Sequence, residues 1–267
     1  MAHAASATND HRRRLNVDAV SAVQSGTAGF PGRRPATVGT TPIWDMGLHG
    51  EGEIVGVMST GLDGGHCFFE NAAGEIPVDQ VYGPSHRKIV SYRAHADGGA
   101  TGQRDLQGTH LVGTILGDAS TPGAEGATER GAAYAARVAF TDVGPGDAPG
   151  LDVPTDLLGD MFRPDYALGA RIFALHDRCT AALDPGAPGL ELSDWCTNGT
   201  NQYTTQAAMI DQASLELDEL LALVPAGNAG NPDLSPSIVS LGTCKNCLAV
   251  GATENDNSGR PVGDGEL

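Results

Sequence analysis

From Trp44 onward, short β-branched runs alternate with longer amphipathic ones, and this alternation narrows the fold more than any other feature. Glu53–Thr60 (EIVGVMST) predicts a buried strand that follows the Gly-rich turn Gly47–Gly52. Ala136–Asp142, Ala170–Leu175, Leu220–Pro225 and Cys247–Ala252 predict four more. Between them, Gln107–Leu116 predicts a helix, with Leu111, Val112 and Ile115 on one face. Pro154–Leu168 predicts a second, interrupted at Pro164. Thr205–Leu217 predicts a third, with Met209, Ile210, Ala213 and Leu217 at three- and four-residue spacing. Strands alternating with helices imply an α/β fold: a doubly wound, mainly parallel sheet with helices on both faces. Ligands of such sheets bind beyond the carboxyl ends of the strands. The segments to inspect are therefore Ser59–Asp63, Asp142–Gly146, Leu175–Arg178 and Ala226–Gly230.

Residues 1–41 are polar and weakly periodic and read as a leader with little structure of its own, ahead of one domain over 42–267. Arg12, Arg13 and Arg14 are followed by no apolar stretch, so no signal peptide is legible. No apolar run reaches the roughly 20 residues that cross a bilayer. The formal net charge is −17, which argues against nucleic acid or an anionic membrane surface as partner. Aromatic residues are only 5% of the chain, so the expected core is mainly Ala, Val, Leu and Ile. The five cysteines include a lone C-x-x-C, Cys244 to Cys247, read as ordinary core or disulfide cysteines rather than a metal or redox site.

Four segments in order carry a resemblance. Gly50–Phe69 contains GVMSTGLD, similar to a V-x-D-S/T-G-I/L-D pattern. Gln107–Gly117, QGTHLVGTILG, is similar to H-G-T-H-V-A-G-x-I/V-x-G. Gly131–Asp142, GAAYAARVAFTD, is similar to a G-x-A-x-x-A strand. Val224–Gly230, VPAGNAG, is similar to A-A-G-N-x-G. Together these resemble the subtilisin-like serine proteases, in particular the large eukaryotic type of slime moulds and protists. The HCFF and KIVSYRAHADG segments carry that narrower likeness. The resemblance implies the subtilisin-like three-layer fold and a serine endopeptidase that hydrolyses peptide bonds through an acyl-enzyme. It implies a peptide or protein substrate, a secreted or vesicular setting, and bound calcium in some members. No acidic spacing here is specific for calcium, and Asp147–Asp152 reads as a solvated loop.

The catalytic slots depart from that pattern. Ser59 stands where the resemblance places the catalytic aspartate, and Gln107 where it places the histidine base. A serine hydroxyl carries no charge to stabilise an imidazolium, and a neutral amide takes no proton near pH 7. Asn228 occupies the oxyanion position. No G-x-S-x-A segment follows it, so the expectation is a partial domain lacking its nucleophile. Asp177 and Arg178 stand where the resemblance places S-W-G, which puts charge into the cleft strand. His66 and Asp63 form a conceivable compensating pair, with an ordinary turn as the plainer reading. The expectation is a degenerate, inactive peptidase domain; a peptide- or protein-binding pseudoprotease and a non-functional fragment are the alternatives.

Overall fold

In the computed structural model, the described residues are 41–71, 80–81, 85–95, 107–119, 130–144, 167, 169–175, 203–226, 238 and 241–251. The leader, most of Pro154–Leu168, Asp147–Asp152 and Asp177–Arg178 lie outside them. A short helix α1 (Pro42–Asp45) precedes β1 (Ile54–Ser59). Then follow β2 (Gln80–Val81), β3 (Ile89–Ala94), α2 (Gln107–Leu116), β4 (Arg137–Asp142), β5 (Ile172–Leu175), α3 (Thr205–Glu216), β6 (Leu221–Pro225), a 3-10 turn (Leu241–Thr243) and β7 (Cys247–Val250).

These strands form one sheet in the order β2-β3-β4-β1-β5-β6-β7. All neighbours pair in parallel except β2 with β3. From β1 the chain moves to β3 and β4 on one side, then returns to β5, β6 and β7 on the other. The order thus reverses about β1, and the crevice for a ligand belongs at its carboxyl end.

Both faces of the sheet are covered, which is why the strands read as near-continuous apolar runs rather than alternating ones. Val55, Val57, Val138, Phe140 and Ala174 face the layer of α2, packed with Val112, Leu116, Leu62 and Phe69. Met58, Phe173, Leu175, Ala222 and Val224 face α3 and meet its Ile210 and Ala213. Leu217, expected on the apolar side of α3, is instead its C-terminal cap and exposed. The helix ends there, so the next position on the stripe has no core to enter. At the other end Thr204 caps α3, its side chain accepting from the Ala207 N–H at 3.4 Å.

The core is largely aliphatic, yet its largest fully buried side chains are Tyr92, Phe69, Phe140 and Phe173. Among the described residues these four aromatics fill the core, while Tyr203 is exposed. Phe173 lies over Gly56, its register partner on β1. A Cβ at position 56 would stand 2.1 Å from the ring.

Strand β3, like the short α1 and β2, is not announced by the sequence pattern. It is flanked by His86, Arg87 and Lys88 and carries Ser91 and Arg93. The Lys88 side chain is nonetheless buried at 3% exposure. Its ammonium donates to the carbonyls of Tyr134 and Ala136 in the turn before β4. Burial lowers its pKa to about 8, opposed by the nearby Asp118 carboxylate. Because the native pKa lies below that of the unfolded chain, the unfolded state binds more protons between the two values. Native stability attributable to Lys88 therefore rises with pH through that window. Relative to Lys88→Met, the wild-type chain should gain about 2–3 kcal/mol between roughly pH 8 and 10.5, read from urea midpoints across pH. A flat difference would mean that the ammonium is not desolvated.

Candidate functional site

The carboxyl end of β1 runs into a tight turn, Ser59–Asp63, with Gly61 at φ +50°. This backbone conformation favours glycine. Helix α2 begins against the turn. Gly108 N–H donates to the Thr60 carbonyl at 3.1 Å, and Thr109 Oγ1 accepts from Asp63 N–H at 2.9 Å. The approach is close because residue 108 has no side chain: a Cβ there would stand 2.2 Å from the Gly61 carbonyl oxygen and 2.5 Å from that of Thr60. In this way Ser59 and Gln107, far apart in sequence, lie on two segments that touch. Ser59 is fully buried, and Gln107 is exposed at the first position of α2. His110, a turn further along, is exposed as well.

A buried carboxylate also stands here. Asp142 ends β4 and is the register partner of Ser59. Strand alternation puts both side chains on the face that α2 covers, alongside Val57 and Phe140. Asp142 Oδ1 accepts from the Gly61 and Gly144 N–H groups, each at 3.0 Å, and Oδ2 accepts from the Tyr92 hydroxyl at 2.6 Å. The Ser59 carbonyl accepts from Val143 N–H at 3.0 Å. One carboxylate thus joins the ends of β1, β3 and β4 and holds the turn that carries Ser59.

Asp63 and His66 are each turned to their own loop. The Asp63 carboxylate accepts from Gly65 N–H at 3.0 Å, and His66 Nδ1 accepts from Phe68 N–H at 3.2 Å. The His66 ring packs against Phe68 and Phe69 at 5.0 and 5.9 Å. These contacts are those of a closed loop rather than of an acid–base pair. Cys67 is a free, exposed thiol in the same loop.

Asn228 lies outside the described residues, which stop at Ala226 on that segment. The strand that leads to it, β6, is described, and Ala226 N–H donates to the Val250 carbonyl at 2.8 Å. Among the described residues, no group of three or more His, Cys, Asp or Glu is placed to hold a metal ion. Among them, no helix is long and apolar enough to cross a membrane.

Sequence reasoning pointed to the segments at the ends of β1 and β4 but did not anticipate the Asp142 clamp. Its partners lie 81 and 50 residues away, at Gly61 and Tyr92, so no local spacing encodes it.

No family model matches the chain. It is 32% identical over 240 residues to serine protease/ABC transporter B family protein tagA of Dictyostelium discoideum, covering 88% of this chain and 12% of that protein. It is 30% identical over 210 residues to tagB of the same organism, covering 79% of this chain and 10% of tagB. The chain thus spans about a tenth of the length of these relatives. Among solved structures, it is 18% identical to the CspB protease of Clostridium perfringens, with a TM-score of 0.44 over 71% of this chain and 39% of that one. It is 17% identical to a protease of Pseudoalteromonas arctica, with a TM-score of 0.40 over 78% of this chain and 57% of that one.

Proposed function

Because the chain is similar to the subtilisin-like serine proteases, we propose that it is a subtilisin-like endopeptidase domain that has lost its proton relay and cuts no peptide with its own residues. The observation that carries this is the pair Ser59 and Gln107, on the turn and helix start that meet at the carboxyl end of β1. Acyl transfer through a serine requires a base beside the nucleophile and a carboxylate that orients the base. Gln107 offers an amide that accepts no proton, and Ser59 offers a neutral hydroxyl. Asp142 does not stand in for the missing acid, because both of its oxygens are engaged by Gly61, Gly144 and Tyr92. What the site keeps is shape: a turn and a helix start held together at the end of a parallel sheet. The second reading, a non-catalytic module that binds a peptide or protein chain, rests on the protease-named relatives.

The test is hydrolysis of a fluorogenic peptide library by the purified chain, with its cooperative melt measured in parallel. Losing the base of a serine protease costs about 10⁶-fold in turnover, so the expected signal does not rise above buffer. Retention of library peptides without cleavage would favour the second reading, a peptide- or protein-binding module. Turnover that a serine-directed phosphonate abolishes would overturn the reading.

A further inference from the structure

Cys244 and Cys247 form a disulfide that closes a short turn between the 3-10 turn and β7, with their Cα atoms 5.7 Å apart. Cys247 pairs with Ala222 near the start of β6, so the bridge lies at the amino end of the sheet, away from the candidate site. The turn is anchored without help from sulfur. Asp211 of α3 accepts from Lys245 N–H at 2.8 Å and Asn246 N–H at 2.7 Å through one oxygen, and from the Tyr203 hydroxyl at 2.7 Å through the other. Ser214 Oγ donates to the Asn246 carbonyl at 3.2 Å. The Lys245 ammonium stands 4.3 Å over the Tyr203 ring. Both cysteine backbones are therefore fixed whether or not the sulfurs are bonded.

A bridge across so few residues removes little entropy from the unfolded chain, so as a staple it adds little to an anchored turn. The two cysteines are half-buried beside the core on the α3 face, and Lys245 and Asn246 between them are exposed, so the bridge lies at the protein surface.

We propose that Cys244–Cys247 is a thiol–disulfide exchange site whose substrate is a dithiol, either small or protein-borne. A thiolate of the dithiol attacks one sulfur, the S–S bond breaks, and the other cysteine leaves as a thiolate that takes up a proton. The second thiolate of the dithiol then displaces the bound cysteine and closes the dithiol's own disulfide. Two electrons and two protons pass to the pair, and oxidised dithiol is released; the reverse sequence restores the bridge.

The experiment equilibrates the whole chain with reduced and oxidised dithiothreitol in native buffer, traps thiols by alkylation and maps the peptide holding Cys244 and Cys247. The bridge is expected to open and reclose while circular dichroism stays native. The double variant Cys244→Ser with Cys247→Ser should melt close to wild type. A bridge that yields only when the chain unfolds, or a double variant without a cooperative melt, would show a structural staple and overturn the proposal.

Discussion

Replacing Asp142 by alanine is expected to remove a large part of the stability of the domain. The carboxylate is 1% exposed and accepts three hydrogen bonds: two from backbone N–H groups of Gly61 and Gly144, and one from the Tyr92 hydroxyl. Alanine leaves all three donors in a dry site. Each orphaned donor costs about 1–3 kcal/mol, so the sum is roughly 4 kcal/mol or more, against a typical total of about 5–15 kcal/mol. The change also releases the turn after β1 and the end of β3, so Ser59 and the start of α2 lose their common support. Asn at this position keeps one acceptor oxygen and should cost about half as much. Urea denaturation monitored by tyrosine and tryptophan fluorescence measures both. A loss under about 1 kcal/mol for the alanine variant would mean that water reaches these donors and that the clamp is not a dry one.

The second large effect is expected at Gly108. On helix propensity alone, Gly→Ala in α2 should stabilise by about 1 kcal/mol. Here the sign reverses. The new Cβ would stand 2.2 Å from one backbone carbonyl oxygen and 2.5 Å from another, and neither can swing aside as a side chain would. Relief requires α2 to back away from the end of β1. That movement gives up the Gly108 to Thr60 bond and the Thr109 to Asp63 bond. The net loss should be about 3 kcal/mol, seen as a lower melting temperature. Gly113→Ala in the same helix is the control. Its Cβ would meet side-chain rings alone, Phe68 at 3.3 Å and Phe69 at 3.8 Å, so its cost should be far smaller. Equal losses for the two variants would place the effect in helix geometry rather than in the approach to β1.

These two residues also mark what was legible beforehand. The bounds of α2 follow from its sequence, and β1, β4, β5 and β6 fall within a residue or two of their apolar runs. Apolar periodicity is a local property, and both faces of this sheet are buried, so the runs stand out. Strand β3 did not stand out, because a buried lysine and histidine precede it and hydropathy reads such residues as exposed. Ser59 and Gln107 could be named from their motifs alone. Their support could not, since the acceptor that organises the turn comes from β4 and its third donor from β3. Likewise the C-x-x-C spacing was visible, but not Asp211, which anchors it from 34 residues away.

The contact between Gly56 and Phe173 has a bearing on how this sequence can change. The ring occupies the space that any other residue at 56 would need, and the two are cross-strand partners in the middle of the sheet. Enlarging position 56 alone creates a collision, and shrinking position 173 alone opens a void. Either step in isolation is a loss, whereas the joint exchange of a smaller ring site for a larger strand residue conserves volume. The two positions are therefore sterically coupled, and a change at one is tolerated only with a compensating change at the other.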